Sequence, residues 1–386
     1  MVAGGGPAGT QGGRPKRWRT GSVVAMARYG KRVDMLVHEQ EPFNAEPPRA
    51  ALAGSCVTPL EAFYVRGHGC VPDIDHRAWR LEIGGLAERS LELSLDDLRD
   101  HRFTQIEVVA TLQCAGNRRS ALVAIRDIPG EAPWGPGATG TARWRGVAVA
   151  EVLAAAGVDP RARHVAFVGA DLCEQAEPPQ RYGASIPLAK ALGEEVLLAH
   201  EMNGRPLEPV HGAPVRILVP GYIGARSVKW VRRIELRAEP WDGYFQETAY
   251  RLLAASQRPG PGVGMALAEI AVNADFLEPE DGATVRAGPV QLTGYAFAGG
   301  EREVARVDVS IDGGENWTAA ELLDDQGRWA WRLWRAEVVL AVGEWEIVVR
   351  AWDTAANTQP ERAATVWNPK GYVNNSWGRV RLRAGA

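Results

Sequence analysis

The spacing of apolar residues changes character along the chain. From about Ala50 to Arg237, short β-branched runs are mixed with a few helical stretches. Val108-Val-Ala-Thr-Leu112 and Val215-Arg-Ile-Leu-Val219 predict strands, while Val147 to Ala156 and Leu188 to Leu192 predict helices. This mixture predicts an α+β domain. Ahead of it, Tyr29 to Pro48 is polar with little periodicity, and we expect it to lie extended over the surface. Trp241 to Ala268 predicts an irregular connector, and its run Arg258-Pro-Gly-Pro-Gly-Val-Gly264 marks the domain boundary.

Beyond that run, short alternating segments follow one another: Thr284 to Val285, Val290 to Thr293, Arg306 to Ile311, Trp329 to Leu333, Glu344 to Trp352 and Ala364 to Trp367. Turn signals such as Asp312-Gly-Gly314 and Asp325-Gln-Gly327 separate them. An antiparallel, immunoglobulin-like β-sandwich is expected here. The division is then a disordered Gly-, Pro- and Arg-rich tail at 1–28, an α+β domain at 29–262 and an all-β domain at 263–386.

Composition sets limits on this picture. At roughly 100–200 residues per domain, 386 residues fit two or three domains. A net charge of −3 provides no field for nucleic acid or an anionic membrane, so neither is expected as a partner. Any anion must be caught by a local cluster. No apolar stretch is long enough to span a bilayer, and the tail lacks the apolar middle of a secretory signal. Four cysteines, Cys56, Cys70, Cys114 and Cys173, form no C-x-x-C pair and are too few for a disulfide framework. A reducing, cytoplasmic location is expected.

Chemistry concentrates in Leu112-Gln-Cys-Ala-Gly-Asn-Arg-Arg119. Cys114 follows an apolar strand and opens a glycine-containing loop, where a side chain can face a cleft. Arg118 and Arg119 beside it would favour the thiolate, the form that binds soft metals. Spacing alone still favours a small buried core thiol over a ligand. Arg66, Arg118, Arg119, Arg216 and Arg226 lie near glycines or strand ends and are candidates for oxyanion capture, although surface ion pairing explains most arginines. His68 and His211 sit beside glycines in loops, and Trp134 and Tyr182 also flank glycine. These residues alone define a two-domain protein with a candidate thiolate and a candidate anion site, and they do not name a reaction.

An ordered series of segments resembles the sulfite oxidase family, especially its haem-free plant form. The series runs through Glu41-Pro-Phe-Asn-Ala-Glu-Pro-Pro-Arg49, Phe63-Tyr-Val-Arg-Gly-His68, the Cys114 loop, Thr141-Ala-Arg-Trp144 and Tyr182-Gly-Ala-Ser-Ile-Pro187. It continues through His211-Gly-Ala-Pro-Val-Arg216, Val219 to Trp230, Arg306 to Gly314, Trp329 to Trp334 and Val366-Trp-Asn368.

The resemblance implies a molybdopterin-binding domain followed by a dimerisation sandwich, and oxidation of sulfite to sulfate. Cys114 would be the protein's ligand to molybdenum. Tyr64, Val65, Arg66, Gly67, His68, Asp171, His211, Arg216, Ser227, Val228 and Lys229 would hold the pterin and its phosphate. Arg66, Arg119, Trp134, Tyr182 and Arg332 would form the sulfite pocket with Cys114. One molybdenum–molybdopterin per chain, no haem, a homodimer, and oxygen or a cytochrome as external electron acceptor complete the expectation.

Two departures stand out. The family usually has Asn where this chain has Gly67, and the loop before Trp134 carries an extra residue. Related alternatives are a nitrate reductase or sulfoxide reductase of the same superfamily, or a non-catalytic cofactor-binding protein. The C-terminal Arg383-Ala-Gly-Ala386 does not resemble the peroxisomal signal of the plant members.

Overall fold

The computed structural model describes residues 29–386 together with Ala27, so nearly all of the expected tail lies outside the described residues. Two five-stranded sheets form the first domain. In one, Gln105–Gln113 pairs antiparallel with Thr139–Ala148, which pairs with Leu197–Met202; Arg205–Pro206 and Arg216–Leu218 flank the last. In the other, the order is Leu91–Leu93, Leu81–Gly85, Val231–Arg237, His164–Cys173, Gln180–Pro187. Val231–Arg237 runs parallel to Leu81–Gly85 and antiparallel to His164–Cys173, a pairing of distant segments. The core joining these elements includes Trp79, Val149, Val165, Phe167, Val215 and Ile234, all essentially unexposed.

The expected strands within 108–112 and 215–219 form as Gln105–Gln113 and Arg216–Leu218. Val147 and Ala148 end a strand, and the helix starts at Val149 and runs to Ala156. Gly157 follows it with φ +74°, a positive value that glycine tolerates without strain.

The 29–48 segment departs from the expected surface strand. Leu36–Glu39 and Asn44–Glu46 form a hairpin, and Met35, Phe43, Ala45 and Val65 share a small core. Asn44 and Glu46 are buried polar residues, and polarity alone could not reveal that. The connector is also better ordered than expected. Phe245–Ala249 forms one π-helical turn, and Arg251–Leu252 pairs with Met265–Ala266. Phe245, Tyr250 and Leu253 are buried there.

The second domain is the expected sandwich. One sheet runs Asn273–Glu278, Gly288–Phe297, Arg332–Leu340, Glu321–Leu322; the other runs Thr284–Arg286, Gly378–Gly385, Gly343–Asp353, Val304–Ser310, Thr318–Ala319. Phe276, Leu292, Val307, Trp334, Val349, Val380 and Leu382 fill the space between them. Ala363–Val366 is a 3-10 turn rather than a strand, with no buried residue to hold it in a sheet. The final strand shows the two-residue period clearly: Val380, Leu382 and Ala384 point inward, while Arg381 and Arg383 point to solvent.

Candidate functional site

Strand Gln105–Gln113 ends immediately before Cys114, whose amide donates to Ala138 O at 2.9 Å. The loop then doubles back. Asn117 N donates to Cys114 O, Gly116 N donates to the Cys114 Sγ at 3.4 Å, and Arg118 adopts φ +64° before the short helix Arg119–Val123. A Cβ on Gly116 would meet the Arg119 guanidinium at 2.7 Å, so only glycine lets that side chain fold over the loop.

Cys114 lines a cavity with Tyr64, Val65, Arg66, Gly67, His68, Asp171, Tyr182, His211, Arg216, Ser227, Lys229 and Tyr250. Segments distant in sequence supply these side chains. Among the described residues, three cations, Arg66, Arg216 and Lys229, face it against one carboxylate, Asp171. Burial lowers Arg216 to about 10, and burial together with the Arg216 charge lowers Lys229 to about 7. Burial also raises Asp171. The lining therefore carries excess positive charge in a poorly solvated space, which an anionic ligand would relieve. Burial pushes the Cys114 thiol up, while the charges of Arg66 and Arg119 and the Gly116 N–H work against that rise. Such a thiol ionises most readily on meeting a metal.

The histidines are fixed by donors. Arg66 Nη2 donates to His68 Nδ1 at 3.2 Å, and Gln175 Nε2 bonds the same nitrogen. Burial, reinforced by the Arg66 charge, holds His68 well below its usual value, so the ring is neutral. Its hydrogen must then lie on Nε2, which meets Tyr250 Oη at 2.7 Å and donates to it. The phenol's own proton is left available to the cavity. Burial raises Tyr250 to about 12, so that proton is retained at neutral pH. Behind the cavity, Lys31 Nζ donates to His211 Nε2 at 2.7 Å. Arg216 donates to His211 O and Ser227 O, both at 3.0 Å, and Lys229 donates to Val210 O at 3.2 Å. Ser227 Oγ accepts from Val219 N, tying the 219–229 loop to itself.

Of the residues named from sequence, Tyr64, Val65, Arg66, Gly67, His68, Cys114, Asp171, Tyr182, His211, Arg216, Ser227 and Lys229 share the cavity wall. Val228 is buried just behind it. Arg119 lies one layer out, 5.1 Å from the centre of the Tyr372 ring, which stacks on Tyr250 at 5.4 Å.

The structure places four of these residues differently from expectation. Arg332 faces a separate small cavity and is bonded to Asp325 at 3.0 Å and to Leu323 O at 2.9 Å. Trp331, one residue away, points inward instead and donates its indole N–H to Cys56 O. Trp134 is buried in the loop wall against His38, ring centres 4.5 Å apart, and is not among the lining residues. Tyr182 lines the cavity, but its hydroxyl already donates to Ala225 O at 2.8 Å and its ring stacks on His68. Tyr250 presents a hydroxyl whose own proton is not engaged, and the Tyr64 ring also lines the cavity. Sequence reading passed over Tyr250 because the surrounding segment reads as a linker; the cluster Tyr244-Phe245 and Tyr250 was the signal there. Arg118, expected to favour the thiolate, instead forms a buried ion pair with Asp275 at 2.7 Å.

With this geometry in view, the class is defined by matching protein families. Residues 68–245 match the oxidoreductase molybdopterin binding domain, and residues 265–385 match the Mo-co oxidoreductase dimerisation domain. The chain belongs to the sulfite oxidase family of molybdopterin-binding oxidoreductases. It is 42% identical over 363 residues to the mitochondrial sulfite oxidase of Homo sapiens, covering 90% of this chain and 65% of that protein. It therefore spans slightly under two thirds of the length of that animal relative. Against the sulfite oxidase of Arabidopsis thaliana it is 40% identical, covering 91% of this chain and 94% of that one. The sulfane dehydrogenase SoxCD from Paracoccus pantotrophus superposes with a TM-score of 0.75 at 25% identity, over 98% of this chain and 96% of that one.

Among the described residues, no group of three or more His, Cys, Asp or Glu side chains is placed to hold a metal by itself. A metal at Cys114 would draw its remaining ligands from the group that brings it. No helix among the described residues is long and apolar enough to cross a membrane.

Proposed function

We propose that the protein oxidises sulfite to sulfate at a molybdenum held by Cys114 and a molybdopterin. The observation that supports this most directly is a lone cysteine thiol in a cavity faced by three cations and one carboxylate. When bound, the molybdenum cofactor supplies the two-electron and oxygen-transfer chemistry; the protein binds, orients and excludes water. Overall, sulfite and water become sulfate, two electrons and two protons.

The cationic set divides by position. Arg216 and Lys229, on the side of His211 and Ser227, would hold the pterin's phosphate, with Lys31 supporting His211 from behind. The backbone from Tyr64 to His68, Asp171 and the Ser227 to Lys229 loop would hold the pterin's polar edge. Arg66 and Tyr250, with Arg119 one layer behind them, would face sulfite. Arginine suits this task because it stays charged when desolvated. Tyr250, with its oxygen fixed by His68, would donate its proton in a hydrogen bond to a substrate oxygen.

The electrons would pass to an external acceptor, oxygen or a cytochrome, without a haem on this chain. The sandwich would mediate a homodimer, and the location would be cytoplasmic, which fractionation would decide against relatives named mitochondrial. The central test measures molybdenum content together with sulfite-dependent reduction of ferricyanide, oxygen and cytochrome c in parallel. Stoichiometric molybdenum with turnover on at least one acceptor is expected. Metal-loaded protein that oxidises no sulfite would refute the proposed reaction.

A further inference from the structure

Beside the cavity, two cations that could bind an oxyanion are already occupied. Glu131 Oε2 lies 3.3 Å from Arg119 Nη2, and the same carboxylate pairs with Lys370 Nζ through its other oxygen. All three side chains are largely buried, at 3% exposure for Arg119, 15% for Glu131 and 19% for Lys370. Arg119 is held in place by more than this pair. Its Nη1 donates to Ala132 O at 2.8 Å and its Nε to Lys370 O and Gly371 O at 3.0 and 3.2 Å. The guanidinium also lies over Tyr372, which stacks on Tyr250 in the cavity wall. The Arg119 position is thus fixed by backbone carbonyls and an aromatic face, and it would persist without Glu131.

From this arrangement we infer that Glu131 is an internal counter-anion and a determinant of oxyanion affinity. It neutralises Arg119 and Lys370 in the empty site, and an incoming tetrahedral or pyramidal oxyanion must compete with it for their positive field. This rests on the reading of the cavity as a sulfite site. The carboxylate belongs to the loop that also carries Trp134. The Glu131 charge reaches the cavity groups themselves: it is among the charges that raise Cys114, Tyr250 and Tyr372, opposing Arg119 in each case. A carboxylate here weakens anion binding generally. In return it keeps the buried Arg119 and the half-buried Lys370 from standing unpaired, which is costly for the buried one.

The isosteric exchange Glu131→Gln keeps the shape and removes the charge. In the molybdenum-loaded enzyme it is expected to lower the KM for sulfite about fivefold or more, with a steeper loss of affinity as salt rises, because an unscreened cation pair is exposed to the substrate. Independently of turnover, calorimetric titration of E131Q with inorganic sulfate should give a Kd lower than that of the unaltered protein by a similar factor. Glu131→Ala serves as a second variant and should shift sulfate binding in the same direction. An unchanged or raised sulfate Kd in both variants would overturn the inference and leave Glu131 as a structural partner of Arg119. If the unaltered enzyme oxidises no sulfite but sulfate still binds more tightly to E131Q, the proposed reaction fails while the counter-anion role stands.

Discussion

At the residue scale, two titratable groups bear most directly on the cavity's chemistry. Among the described residues, Cys114 is the one thiol lining the cavity, and a thiolate is the natural soft ligand there. Cys114→Ser should retain pterin yet lose at least about a hundredfold in sulfite turnover, measured alongside metal content; near-normal turnover would remove Cys114 as the ligand. Lys229 poses a question of sign. Its folded value is lowered from 10.5 to about 7, so between these values the unfolded chain carries a proton that the folded one lacks. On this account folding stability declines as pH falls from about 10.5 to about 7. A bound anion restores the charge, so cofactor-free protein should bind inorganic sulfate more tightly as pH drops from about 9 to about 7, and Lys229→Met should flatten that dependence. Lys31, lowered to about 8 by burial, titrates in the same window and would leave a smaller residual slope. Tyr250→Phe keeps the ring stack and removes the hydroxyl, and kcat/KM for sulfite should fall about tenfold or more.

At the element scale, one buried carboxylate fixes the 130–138 loop. Glu46, in the strand Asn44–Glu46, accepts from Gly135 N at 2.6 Å, from Gly137 N at 2.9 Å and bonds His38 Nε2 at 2.8 Å. A Cβ on Gly137 would meet Pro47 O at 2.4 Å, so the close approach requires glycine. Glu46→Ala strands two amide donors in the interior and should cost about 2–4 kcal/mol in urea denaturation, at about 1–2 kcal/mol for each orphaned group. A loss under about 0.5 kcal/mol would mean that water replaces the carboxylate. This clamp was hidden in the sequence because a glutamate in a polar stretch reads as solvated. Its burial depends on a loop some ninety positions later. The strands around Cys114 were legible for the opposite reason: their apolar period is local and survives without knowledge of partners.

At the scale of the whole molecule, the Cys114 loop is fastened to the second domain. Arg118 pairs with Asp275 at 2.7 Å and donates to Ser376 O and Trp377 O, while Asn374 Nδ2 donates to Arg118 O. Asn117 Nδ2 donates to Tyr295 Oη at 2.9 Å, and Val373 N donates to Ala115 O at 2.7 Å. The sandwich therefore sets the conformation of the loop that presents Cys114. Arg118→Ala leaves Asp275 as an unpaired buried charge and should destabilise the protein by about 3–5 kcal/mol. Metal content should fall with it, measured on the folded fraction; full metal occupancy at normal stability would dissociate the loop from the sandwich. The proposed homodimer is checked by sedimentation at micromolar concentration, where a monomer would refute it.

The sequence by itself determined the succession of a mixed α+β domain and an all-β domain, the strand leading to Cys114 and the loop that follows it. Those features rest on short-range periodicity and on glycine and arginine spacing, which are properties of neighbouring residues. The family resemblance added most of the cavity wall by position. The tertiary structure decided that Tyr250 presents its hydroxyl to the cavity, that Arg332 lines a separate one, that Arg118 serves the domain seam, and that the carboxylates of Glu46 and Glu131 sit among distant partners. Each of these depends on which side of a strand faces a neighbour, or on charges brought together from remote segments. Neither is encoded in the local pattern of apolar and polar residues.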